Sequence, residues 1–177
     1  MRKLLMAGLT LLVCALLSAG CTVVDRTRET QFDSAAKWVL LPMANHTETP
    51  QAGLRAEAIV ESLLRTAGLH QLERYPATLN ADQLFDPAER KTQEQALAWA
   101  KAQKARFAVG GAVDEWRYKV GVDGEPAVGL SLSIVDLDSG TVVYAAAGGK
   151  SGWSREALSA VAQNLVRELL AGVRLGR

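Results

Sequence analysis

Lys37-Trp-Val-Leu-Leu-Pro-Met-Ala-Asn45, His46-Thr-Glu-Thr-Pro-Gln-Ala-Gly-Leu54 and Arg55-Ala-Glu-Ala-Ile-Val-Glu-Ser-Leu-Leu-Arg-Thr-Ala-Gly68 follow one another directly and decide the fold. Trp38 to Leu41 is a short apolar run bounded by a proline, which suits a buried strand. Thr49 followed by Pro50 reads as a helix start, with a hydroxyl cap and a proline in the first turn. Ala56, Ile59, Val60, Leu63, Leu64 and Ala67 then recur at helical spacing, with Arg55, Glu57, Glu61 and Arg65 expected to point away. Gly68 is placed to end the helix in a left-handed conformation. A buried strand feeding an amphipathic helix opens an α/β layer, with the polar loop Asn45 to Thr49 at the strand's C-terminal end.

Downstream, Leu69 to Tyr75 predicts a short second strand. Asn80 could cap a turn over Ala81 to Phe85. Asp86 and Glu89 have capping-box spacing and open a second helix that runs to Gln103. Its buried face is Ala96, Leu97, Trp99 and Ala100, and the alanines suggest close packing on a sheet. From Arg106 the pattern becomes β-rich, with Gly110-Gly111 marking a bulge or a close backbone approach. Asp123-Gly124 is a hairpin signal. Val128, Leu130, Leu132 and Ile134 alternate with Gly129, Ser131 and Ser133, giving one apolar face and one face of small side chains. Asp136 to Gly140 is a second hairpin loop, and Thr141 to Ala147 a third strand. Ser154 would cap a last helix whose apolar side carries Leu158, Val161, Ala162, Leu165, Val166 and Leu169. The predicted order is β-α-β-α-β-β-β-α: a single α/β domain with a mixed five-strand sheet and packed helices.

Upstream, Met1-Arg-Lys is a basic segment, Leu4 to Leu17 an apolar one, and Leu17-Ser-Ala-Gly-Cys21 closes it with small residues before a cysteine. This is a lipoprotein signal over residues 1–20 with Cys21 as the lipidation site. Thr22 stands where an aspartate would favour inner-membrane retention, so the outer membrane is the expected destination. Residues 21–36, polar and mixed in charge, read as a lipidated tether to a periplasmic domain over 37–177.

Processing also settles the charge and the thiols. Lys and Arg number 20 and Asp and Glu 19 in the whole chain; Arg2 and Lys3 leave with the signal, so the mature domain is close to neutral. No dense basic cluster is present, which argues against nucleic acid. Cys14 is removed and Cys21 acylated, so no thiol remains for a disulfide, a metal or a nucleophile. His70 has no second histidine or carboxylate at metal spacing, and the other histidine, His46, sits in the loop before the first helix. Ser151-Gly-Trp-Ser lacks the Gly-x-Ser-x-Gly of a nucleophile elbow, and Tyr144 replaces the first glycine of a phosphate loop before Gly148-Gly-Lys-Ser151. Neither an enzyme nor a cofactor is expected.

Two features point to function. Trp153 lies in a glycine- and serine-rich turn, where an exposed indole would suit a membrane interface or a subunit contact; folded back, it would instead cover the end of the last helix. Asp123 and Glu125 on one hairpin, and Asp136 and Asp138 on the next, are ordinary turn residues in a lone domain. Repeated around a ring, one carboxylate per subunit would make a circle of negative charge that attracts cations.

The lipobox, Trp38 to Ala58, Glu115-Trp-Arg-Tyr-Lys119, Asp123-Gly-Glu-Pro126 and Ser151-Gly-Trp-Ser-Arg155 together resemble PelC, the outer-membrane lipoprotein family of Pel exopolysaccharide export. The resemblance implies a fold like the TolB N-terminal domain and periplasmic CsgG. It also implies a dodecamer-like homo-oligomeric ring on the periplasmic face of the outer membrane, around the PelB porin. An acidic funnel there would guide a cationic polysaccharide. In such a ring Cys21 carries the lipid, Trp153 meets the membrane lipid, and Asp123 with Glu125 supplies polysaccharide-guiding charge. The alternative is an LpoB-like activator of a peptidoglycan synthase. That would need a long reach, whereas residues 22–36 extend at most ~50 Å.

Overall fold

The computed structural model describes residues 22–76, 89–120 and 124–176. In chain order the elements are β1 (Thr22–Arg26), β2 (Thr30–Asp33), β3 (Trp38–Asn45), α1 (Ala52–Thr66), β4 (Leu72–Arg74), α2 (Glu89–Ala102), β5 (Phe107–Tyr118), β6 (Pro126–Asp136), β7 (Thr141–Ser151), α3 (Leu158–Leu169), a 3-10 turn (Leu170–Gly172) and β8 (Val173–Gly176). The mixed α/β reading holds, but the sheet has six strands rather than five, in the order β1-β7-β6-β5-β3-β4. β3 is parallel to β4 and β5, and β5, β6 and β7 form the predicted antiparallel meander.

The extra strand comes from the stretch expected to be a tether. β1 pairs antiparallel with β7, Thr22 opposite Lys150 and Arg26 opposite Ala146. β2 pairs in parallel with β8. Phe32 from β2 is buried and stacks edge-on against Trp38 and Phe107, with ring centroids 5.3 Å away in both cases. β7 runs on through Gly148-Gly-Lys-Ser151, beyond the Thr141 to Ala147 strand the sequence predicts, paired with β6 throughout and with β1 as far as Lys150.

Alternation along β3 divides the core. Trp38, Leu40 and Met43 join Ala56, Val60 and Leu64 of α1 and Val161, Leu165 and Leu169 of α3. Val39 and Leu41 face the other way, toward Ala96 and Ala100 of α2, with Leu97 and Trp99 packed at the margin. The alanines let α2 sit close to the sheet, as expected. Gly110-Gly111 marks both expected features: the β3–β5 register shift falls opposite Gly110, and a Cβ at Gly111 would lie 2.0 Å from the Ser131 carbonyl oxygen.

Pro42 breaks the β3–β5 register between Leu40 and Met43. A break in a central strand leaves backbone groups that must find partners. Glu57 Oε1 accepts the Met43 N–H at 3.0 Å, and Gln93 Nε2 donates to the Pro42 carbonyl at 2.8 Å. Glu57 Oε2 also receives Arg74 Nε at 2.9 Å and Nη2 at 2.6 Å. Glu57, expected on the solvent face, is therefore buried, because the bulge and β4 both depend on its carboxylate.

The helix ends show which local signals hold. Gly68, at φ +104°, closes α1 as predicted: its N–H reaches the Arg65 carbonyl at 3.0 Å, and Leu69 N–H reaches Leu64 at 3.1 Å. That is the Schellman arrangement. Lys104, at φ +56°, ends α2 with the same pair of bonds, to Lys101 and Ala100. The capping signals at Asn80 and Asp86 lie outside the described residues.

Candidate functional site

The start of β1, the end of β7, the start of β6 and the end of β5 meet at one end of the sheet. Thr22 is opposite Lys150, Ala127 opposite Ser151, and Tyr118 opposite Pro126. Gly152 N–H closes the row on the Pro126 carbonyl at 2.9 Å. Cys21 lies outside the described residues and is the residue immediately before β1. The first residue of the sheet edge and Trp153, three residues after Lys150, therefore share this end of the molecule.

Trp153 leaves the sheet on a turn fixed by backbone and carboxylate. Its N–H donates to Glu156 Oε2 at 3.1 Å, and Glu156 N–H returns to the Trp153 carbonyl at 2.9 Å. Gly152 lies so close that a Cβ would fall 2.5 Å from Val161 Cγ2 of α3. The turn contains Arg155 at φ +72°, and α3 begins at Leu158 with Ala157 as its N-cap. Ser154 is thus not the cap, since Arg155 turns the chain first. The Trp153 indole is 53% exposed. Tyr118 buttresses the same turn: its hydroxyl donates to the Glu156 carbonyl at 3.3 Å and accepts from Leu158 N–H at 3.2 Å.

The C-terminal end of β3 reaches this same end of the sheet, because β3 and β5 are parallel. Its polar loop does something the sequence did not show. Thr49 Oγ1 donates to the Trp116 carbonyl of β5 rather than capping α1, whose N-cap is Gln51 at φ +60°. The hydroxyl is drawn away because β5 offers an acceptor. The loop and β5 then enclose an open cleft of about 690 Å³, lined by Thr47, Glu48, Pro50, Asp114, Glu115 and Arg117 among others. Asp114 falls where the β5–β6 register shifts, between Val113 and Glu115, and its Oδ1 lies 2.9 Å from His46 Nδ1. Glu48, Asp114 and Glu115 are carboxylates that the hairpin signals did not pick out.

The predicted acidic residues fare unequally. Asp123 lies outside the described residues; Glu125 is exposed, and its carbonyl accepts Lys119 N–H at 2.7 Å. Asp136 and Asp138 sit on the other hairpin, at the opposite end of the sheet, and both bind Arg106. Burial works against ionisation of Asp136, but the Asp138 N–H, the Arg106 guanidinium and the Ser139 N–H outweigh it and hold its carboxyl below the usual range. The two hairpins cannot pool their charge within one subunit, because a meander puts successive turns at opposite ends. Among the described residues, no group of three or more His, Cys, Asp and Glu is arranged to hold a metal ion. None of the described helices is long and apolar enough to cross a membrane.

No family model and no curated protein matches the chain. Solved structures do. The PelC dodecamer from Paraburkholderia phytofirmans is 37% identical, with a TM-score of 0.75, covering 89% of this chain and all of that one (100%). A variant of the same PelC in another crystal form is 36% identical, also with a TM-score of 0.75 and covering 88% of this chain. Lipoprotein GNA1162 from Neisseria meningitidis shares the fold at 14% identity, with a TM-score of 0.57 over 77% of this chain and 96% of its own. With 37% identity to PelC over the whole of the matched chain, this chain belongs to the PelC family.

Proposed function

We propose that this protein is an outer-membrane lipoprotein, anchored through Cys21 on the periplasmic face, whose copies form a ring that guides a cationic polysaccharide to the PelB porin for export. The observation that carries this reading is the 37% identity to a PelC that is a dodecamer. In the ring Trp153 dips toward lipid, and Asp123 and Glu125 provide the guiding charge. Glu48 and Asp114, in the cleft at the same end, add to that field. A near-neutral domain is compatible with such a funnel, since the field depends on which face carries the carboxylates. No catalytic step is part of the proposal.

The place of β1 supports a module held against its membrane. Lipid on Cys21 would join the sheet edge directly, with no slack between acyl chain and Thr22. This weighs against the synthase-activator reading, which needs a long leash. Three measurements test the proposal. Light scattering of the lipidated protein should report rings; a monomer at high concentration and in membranes would remove the assembly. Asp123→Ala should lower polymer secretion at unchanged protein level, and unchanged secretion would move the charge role to other carboxylates. Deletion of the gene should abolish export; normal export without it would defeat the whole reading.

A further inference from the structure

The exposed large apolar residues among the described ones include Tyr118 at 50%, Val120 at 102% and Trp153 at 53%. These three are gathered by the fold rather than scattered. Tyr118 hydrogen-bonds across the turn that carries Trp153, and Lys119 Nζ lies 2.7 Å from Ser151 Oγ at the end of β7. Val120 follows directly, with its side chain fully in solvent. Lys119 and Arg155 are exposed beside them. Aliphatic tips, amphipathic rings and cations at one level form the composition of a protein edge that rests in a bilayer interface.

We propose that the outgoing end of β5, Tyr118-Lys-Val120, is a second lipid-contacting element that enters the headgroup layer beside Trp153. Val120 reaches the acyl boundary, and Lys119 and Arg155 meet the phosphates. The occupant is a lipid surface because the chain preceding the sheet ends here: Cys21 is one residue from Thr22, and Thr22 sits opposite Lys150 in the row that Ser151 continues. This rests on acylation of Cys21, as proposed above. A Val120 fully in solvent is unexplained by packing within the subunit, and its burial in lipid removes apolar area from water.

The absence of any other thiol in the mature chain makes the test clean. The acylated protein is reconstituted into phosphatidylethanolamine–phosphatidylglycerol vesicles containing phosphatidylcholine spin-labelled near the headgroup. Val120→Cys and Val142→Cys variants carry a fluorescent probe. Val142 is also exposed but lies at the far end of β7, about 30 Å away along the strand from Ser151. Lipid quenching should be several-fold stronger at position 120 than at 142. Equal quenching overturns the proposal. So does a probe at 120 shielded from aqueous iodide yet untouched by the lipid quencher, which would mean that a protein neighbour covers the site. Labelling of the wild-type protein reads the anchor separately: it should take up no probe, and uptake would show Cys21 free and overturn the anchor, whereas failure of the contact alone shows as equal quenching with an unlabelled wild type.

Discussion

The two ends of the sheet are built on opposite plans. At the end where β3 and β5 begin, polar groups are spent on one another. Arg106 bridges Asp136 and Asp138, Lys37 pairs with Glu73 at 3.1 Å, and Schellman turns close α1 and α2. At the end where β3 and β5 finish, α1 and α3 start without side-chain caps, carboxylates line an open cleft, and Tyr118, Val120 and Trp153 face outward. One end holds the fold shut. The other turns aromatic, aliphatic and carboxylate side chains toward the outside of the subunit, although several of its polar groups also pair locally, as His46 does with Asp114 and Arg117 with Glu115.

If this division is right, substitutions should separate into those that unfold the domain and those that disable it. The largest loss is expected where both ends are joined, at the β3 bulge. Glu57→Ala strands the Met43 N–H and removes the Arg74 partner, and should cost about 3 kcal/mol in urea unfolding; a loss under about 1 kcal/mol would show that water replaces the carboxylate.

Asp136→Ala should lower the melting temperature by more than any single truncation at Glu125, Asp114 or Trp153. It also alters the acid limb. With its folded pKa depressed, Asp136 contributes stability that is present above the ordinary aspartate range and is lost as pH falls through the depressed value. The variant should therefore lose less stability than wild type between neutral pH and strong acid, and parallel acid-unfolding curves would refute that account.

Lys104→Gly tests the closed end in the favourable direction. A lysine at φ +56° is in a left-handed conformation that glycine adopts freely, so the variant should gain about 0.5–1 kcal/mol; a neutral or destabilised variant would mean the lysine stem repays its strain. The smallest effect on folding is expected from Trp153→Ala, within about 0.5 kcal/mol of wild type, with membrane-associated function reduced. A stability loss like that of Glu57→Ala would make Trp153 a core residue and abolish the contrast between the ends.

Local signals sufficed where partners are near in sequence. The apolar run of β3, the helical spacing of α1, Gly68 and the alternation of β6 each reflect a short stretch and its own periodicity. What could not be read were pairings made across the chain. Thr22-Val-Val-Asp-Arg26 is polar enough to pass as linker, and only β7, more than a hundred residues on, makes it a strand; the adjacent valines were the available hint. Glu57 sat at an outward helical position, and the demand that buries it arises from Pro42 on another element. Thr49 and Ser154 carried proper cap chemistry, but a β5 carbonyl claimed one and the Arg155 turn displaced the other. At the site, a glycine- and serine-rich turn and the hairpin signals singled out Trp153 and the hairpin carboxylates, and the resemblance to PelC gave them roles, whereas the cleft at Glu48 and Asp114 depends on a register shift that no local pattern announces.

The antiparallel seam between β1 and β7 has a mechanical consequence. An acyl group on Cys21 would place the point of attachment at one tip of β1, with the strand axis pointing away from the bilayer. A pull on the domain would then load the Thr22–Arg26 rungs together in shear rather than opening them one at a time. Force would have to break several hydrogen bonds at once, so a five-residue strand can serve as a tow-bar where a loose leash would only straighten.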